Sequence, residues 1–153
     1  MNMEIIKKYK WLLVLALVVI VGAFFFFYRF YHNDVKALAD FSASYKKFDK
    51  AISDFFIGKT DDLERKAGDA LIELNTKAAA RLSSLTKNDA ELMSTALEIA
   101  DFSGKELDNL RAYKRAVQSQ HADLDRLAKE FRNLTNNRTA AYARFQELAG
   151  IKD

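Results

Sequence analysis

Cysteine and proline are absent from this chain of 153 residues, and glycine occurs only at positions 22, 58, 68, 104 and 150. Without thiols these residues form no disulfide, bind no metal through thiolates and offer no cysteine for a lipoprotein-type anchor. Without proline, and with so few glycines, there are few places where a helix is forced to stop. Histidine is scarce as well, with only His32 and His121, which leaves little material for acid–base or metal chemistry near neutral pH.

Charge of one sign is also missing from most of the chain. The net charge of +3 is concentrated in residues 1–29, where Lys7, Lys8, Lys10 and Arg29 face a single acid, Glu4. Residues 30–153 are therefore balanced, which argues against a nucleic-acid-binding domain.

What the chain does have is one unbroken apolar run, Trp11 to Tyr28, with the sequence WLLVLALVVIVGAFFFFY. Eighteen helical residues rise about 27 Å, close to the ~30 Å hydrocarbon core of a bilayer. The run holds four Leu, four Val, one Ile and four Phe. At roughly −0.3 to −0.6 kcal/mol each, they favour insertion by about 4–8 kcal/mol, with no charge opposing them. Tyr9 and Trp11 mark one predicted interface, and Tyr28, Arg29, Phe30 and Tyr31 mark the other. Three lysines precede the run and only Arg29 and Lys36 follow it closely, so the positive-inside rule places the amino terminus inside.

The sequence thus divides into a short cytoplasmic tail (1–10), a transmembrane helix (11–28) and an extramembrane domain (29–153). Val21-Gly22-Ala23 also resembles a signal-peptide cleavage site. Cutting there would leave Phe24-Phe25-Phe26-Phe27-Tyr28 at the new end, still lipid-seeking, and the uncleaved anchor is the preferred expectation.

Beyond the run the pattern is helical throughout. Leu38, Phe41, Tyr45, Phe48, Ile52 and Phe55 fall at steps of three and four on one stripe, a face expected to be buried. Gly58 is placed to cap that helix, and Thr60 or Asp61 to start the next. Leu63, Ala67, Ala70, Leu74, Ala78, Leu82 and Leu85 form a second stripe whose small residues admit a close neighbour. Asn88 with Glu91, and Ser103 with Glu106, resemble capping boxes that open later segments.

From Leu110 onward two seven-residue combs appear. One contains Leu110, Val117, Leu124, Phe131 and Phe145, and the other Tyr113, Leu127, Leu134, Ala141 and Leu148; Gln120 and Arg138 interrupt them. A helix from Lys105 to Ala149 would run about 67 Å and present a coiled-coil-like seam. If the anchor helix continues unbent, a returning helix as long as Asp61–Phe102 would overshoot the membrane surface. Either that helix breaks near Thr86–Asp89, the preferred site, or the chain bends at His32-Asn33-Asp34. The expected fold is all-α: a transmembrane helix followed by an antiparallel three- or four-helix bundle with a long, coiled-coil-like last helix.

Catalytic patterns are not found. There is no phosphate-binding glycine loop, no Gly-x-Ser-x-Gly elbow and no helix with paired zinc-binding histidines. His121 and Asp125 share a helical face, but a solvated pair accounts for them without a metal. Asn133-Leu134-Thr135 and Asn137-Arg138-Thr139 fit the glycosylation triplet, yet lie inside a predicted helix. No catalytic residue, cofactor or metal is assigned.

In outline the chain resembles small single-span envelope proteins with helical extramembrane domains, a likeness of architecture that transfers no residue role. The leading expectation is a non-enzymatic scaffold at the outer face of a cytoplasmic membrane, periplasmic or extracellular. It would bind a second copy or another envelope protein through Leu110, Val117, Leu124, Leu127, Phe131 and Leu134, with Gln120 and Arg138 fixing register. The alternative is a ligand-sensing bundle whose Phe41, Tyr45 and Phe48 line a pocket and which signals through a separate protein. A metal-dependent enzyme using His121 and Asp125 is the weakest of the three.

Overall fold

A computed structural model describes residues 3–81, 90–119 and 123–151, with side chains at positions 1–14, 30–31 and 80–81 left out of the account. Among the described residues every regular element is a helix: α1 (Met3–Gly58), α2 (Asp61–Thr76), α3 (Ala90–Ser119) and α4 (Leu124–Ala149). A five-residue π-helical turn, Lys77–Arg81, continues α2. The chain divides into two compact units, residues 1–36 and 37–153.

In the first unit every residue of the helix from Leu15 to Tyr28 is apolar or aromatic and exposed. In the second the described residues of the amphipathic stripes predicted from spacing are buried or, at Leu38 and Leu63, half-buried; Leu82 and Leu85 lie outside the described residues. Phe41, Phe48 and Phe55 of α1 are fully covered, as are Ala67 and Leu74 of α2, Ile99 and Leu110 of α3 and Phe145 of α4. All belong to one core. Each large apolar side chain so buried stabilises the fold by about 1.5–3 kcal/mol.

Contacts give the order of the neighbours. Asp49 and Phe56 of α1 meet Arg138 and Phe131 of α4, and Lys47 meets Glu73 of α2. Glu64 of α2 meets Arg111 of α3, while Glu91 and Glu106 of α3 meet Arg144 and Arg138 of α4. In the α1–α4 and α3–α4 pairs, residue numbers rise along one helix as they fall along its partner.

The turn between α1 and α2 corrects one expectation. The left-handed residue is Lys59, with φ of 52°, rather than Gly58. The Lys59 amide still donates to the Phe55 carbonyl at 2.8 Å. Thr60 starts α2 as predicted, its Oγ1 accepting from the Leu63 amide at 3.3 Å, and Asp61, Asp62 and Glu64 supply favourable charge in the first turn. A Cβ at Gly58 would meet Leu63 Cδ1, the far end of a flexible side chain.

A second correction concerns the last helix. Ser103 and Gly104 lie inside α3, and Ser103 Oγ donates back to the Ile99 carbonyl at 2.7 Å instead of capping a new helix. α3 ends at Ser119 and α4 begins at Leu124, so the long helix from Lys105 to Ala149 is replaced by two that pack on each other. Leu110, Leu127, Ala141 and Phe145 of the heptad combs are buried within one chain, and no glycine or proline lies between Ser119 and Leu124. α4 then ends in a Schellman motif. Gly150 takes φ of 67°, its amide donates to the Glu147 carbonyl at 3.2 Å, and the Ile151 amide donates to the Gln146 carbonyl at 3.0 Å.

His32, Asn33 and Asp34 are helical within α1, so no secondary-structure break occurs there. The predicted break at Thr86–Asp89 and the Asn88 cap lie outside the described residues.

Two glycines separate close packing from helix propensity. Gly58→Ala is expected to destabilise by no more than about 1 kcal/mol, because only the far end of the half-buried Leu63 side chain must turn aside. Gly104→Ala is expected to stabilise by up to about 1 kcal/mol, because its Cβ would meet nothing and the position is mid-helical. Thermal unfolding of the detergent-solubilised full chain, followed by circular dichroism, reads both signs.

Candidate membrane span and interaction surface

The first unit holds a candidate span. Its helix contains an 18-residue window of mean hydropathy 1.8, long and apolar enough for one crossing. Leu15, Leu17, Val18, Val19, Ile20 and Val21 are each between 57% and 66% exposed, and Phe24 to Tyr28 between 60% and 74%. In a soluble protein a helix this apolar would be buried on at least one side. Of the predicted interface residues, Tyr28 is exposed and stacks on His32, with centroids 5.7 Å apart and planes 9° apart, and Arg29 is exposed. The side chains of Tyr9, Trp11, Phe30 and Tyr31 lie outside the described set.

The predicted partner seam falls at different depths in the second unit. Leu110 is fully buried and Leu127 is 7% exposed, so both belong to this chain's own packing. Leu124, Phe131 and Leu134 are half-buried, and Val117 is 42% exposed. Phe131 is covered in part by Phe56, the two rings stacking at 4.9 Å. Phe56 also approaches Tyr113 at 6.4 Å, and the Lys59 ammonium lies 5.4 Å from the Phe56 ring and 5.9 Å from Tyr113. Phe56 and Ile57 are themselves 38% and 74% exposed. Phe56 and Ile57 at the end of α1 thus stay accessible, as does Val117, one helical turn after Tyr113; Ile72 of α2 and Leu97 of α3 are further exposed apolar residues of this unit. Phe56 follows Phe55 directly and lies off the α1 stripe, which is why periodicity alone does not single it out.

The aromatic stripe proposed as a ligand pocket is filled. Phe41 packs on Phe145 at 4.6 Å and Tyr45 stacks on Tyr142 at 3.6 Å. The Arg138 guanidinium lies 5.1 Å from the Tyr45 ring and 5.5 Å from Phe48.

Arg138, marked in the sequence as an interruption of the apolar combs that would fix register, is with Glu106 one of the two deepest charges among the described residues. It is fully buried, as is Glu106. Its Nε donates to Glu106 Oε2 at 2.6 Å and an Nη donates to Asp49 Oδ1 at 2.7 Å. The other Glu106 oxygen accepts from Thr135 Oγ1 at 2.6 Å. Burial by itself would lower the arginine's pKa, but Glu106, Tyr45 and Asp49 outweigh it and hold the value above the ordinary one. Burial pushes the Tyr45 phenol up, against the opposing charge of Arg138. The group joins α1, α3 and α4. The Nη1 atom of Arg138 has no partner, a cost that shape and charge elsewhere must offset.

A second ionic group ties α2 to α3. Lys114 donates to Asp61 and, at 2.8 Å, to Glu64 Oε2, and Arg111 Nε donates to the other Glu64 oxygen at 3.1 Å. These hydrogen bonds hold the Glu64 carboxyl below its ordinary range and the Lys114 ammonium above its own.

Among the described residues no three His, Asp or Glu side chains gather closely enough to hold a metal ion. Asp125 is exposed on the first turn of α4, and Gln120 and His121 lie outside the described residues. Asn133 and Asn137 are exposed within α4, while the Thr135 hydroxyl between them is engaged by Glu106.

The chain matches no protein-family model, no curated protein and no solved structure.

Proposed function

We propose that this protein is a non-enzymatic, single-pass membrane tether whose helical domain docks a protein partner. Residues 11–28 cross the membrane with the amino terminus inside. Residues 37–153 form an antiparallel four-helix bundle on the outer side, periplasmic or extracellular, and bind a second copy or another envelope protein.

The observation that carries this reading is the helix from Leu15 to Tyr28, apolar and exposed around its whole circumference. Water leaves such a surface uncovered at a cost of roughly 25 cal/mol per Å², and lipid removes that cost. The excess of lysine before the span supports the orientation. Docking is assigned to Phe56, Ile57 and Val117, three of the apolar residues exposed on the helical domain. Val117 is kept from the expected seam, and Leu110 and Leu127 are set aside because they are buried.

Chemical crosslinking of the full chain in the membranes that hold it tests the docking. Crosslinked species are expected with the native sequence, and a Val117→Asp, Ile57→Asp variant is expected to lose them by about tenfold or more, the equivalent of ~1.4 kcal/mol of contact. A native chain that yields no crosslinked species, or a variant that crosslinks as well as the parent, would count against docking here.

A further inference from the structure

The proposed crossing segment is uneven along its length. Residues 12–21 are aliphatic, LLVLALVVIV, whereas aromatic residues fill positions 24–28. Phe24, Phe25, Phe26 and Phe27 are consecutive residues of one helix, and successive helical side chains point about 100° apart. Four in a row close a full circle. All four rings are exposed, at 74%, 66%, 60% and 72%.

Helices associate within a bilayer through faces of small residues, which let backbones approach, or through polar side chains that hydrogen-bond across the contact. This segment has neither. Its small residues are Ala16, Gly22 and Ala23, and four positions after them stand Ile20, Phe26 and Phe27. Four positions before them stand Leu12, Val18 and Val19, so no pair of small residues shares a face at that spacing. Residues 11–28 include no Ser, Thr, Asn, Gln or His. A collar of phenylalanine on every side keeps any neighbouring backbone away from Gly22.

We propose that the partner of this collar is lipid acyl chain rather than a second helix. The span enters any assembly as a lipid-solvated monomer, and self-association resides in residues 37–153. The inference rests on the transmembrane reading and assigns the surface of that same segment.

The absence of cysteine makes the test clean, because an introduced thiol is the only one present. Full chains carrying Phe24→Cys, Phe25→Cys, Phe26→Cys or Phe27→Cys are reconstituted in vesicles of phosphatidylethanolamine and phosphatidylglycerol and oxidised. Disulfide-linked dimer yields within about twofold of one another at all four positions are expected, since no quadrant of a lipid-solvated helix faces a partner. Preferential linkage at one quadrant, with the protein still resistant to alkaline carbonate, would overturn the inference and leave the membrane reading standing. Extraction of the protein by carbonate would overturn both.

Discussion

Arg138→Met is expected to destabilise the helical domain by about 3–5 kcal/mol, because it strands the Glu106 carboxylate in the core without its cation. Glu106 is fully buried, and among the described residues its carboxylate accepts hydrogen bonds from Arg138 and the Thr135 hydroxyl. A loss of that size approaches the entire stability of a small domain, so the single variant unfolds at ordinary temperature or nearly so. Glu106→Leu alone is expected to do similar damage by orphaning the arginine, whose remaining carboxylate partner, Asp49, is exposed. The double variant Glu106→Leu, Arg138→Met is expected to recover most of the loss, and it can exceed the parent, because an apolar pair of similar volume escapes the cost of drying two charges. Urea unfolding of the four chains in detergent forms the double-mutant cycle. Additive losses in the two single variants would show that the pair does not act as a unit.

The second large effect concerns insertion. Val18 and Val19 lie at the middle of the apolar run and are 64% and 62% exposed. Replacing one by lysine exchanges a favourable contribution for an unfavourable one, a change of about 3–4 kcal/mol. The run as a whole supplies about 4–8 kcal/mol. Val19→Lys alone is therefore expected to weaken membrane retention while leaving much of the protein inserted. Val18→Lys with Val19→Lys together cancels the gain and is expected to release the chain from carbonate-washed membranes. Full retention of the double variant would mean that something other than the apolar run holds the protein there.

Much of the second unit was legible from spacing. The stripe from Phe41 to Phe55 is buried as its period of three and four requires, and Thr60 caps α2. The division between α3 and α4 was not legible. A heptad comb looks the same whether its two halves form one long helix or fold back on each other, and no glycine or proline marks the turn after Ser119. The partner seam suffered from the same ambiguity: Leu110 and Leu127 repeat as interface residues do, but the facing surface is in the same chain.

Arg138 carried a signal of its own. A charge at a core heptad position requires a buried counter-charge, yet the sequence does not name Glu106, which is 32 positions away and whose spacing from Ser103 imitates a capping box. The exposed Phe56 and Ile57 escaped because they sit just off a strong stripe, where periodicity has nothing to say. The first unit needed no such help, since eighteen consecutive apolar residues demand an apolar environment whatever surrounds them.

The central claim is that one span holds the helical domain on the outer side of a membrane, and thiol accessibility in intact cells tests it most directly. Ser94 is exposed on α3, and Lys7 precedes the span; each can be replaced by the chain's sole cysteine. A membrane-impermeant maleimide is expected to label Ser94→Cys in intact cells and to reach Lys7→Cys only after the membrane is opened. Labelling of Lys7→Cys in intact cells with Ser94→Cys protected would contradict the account.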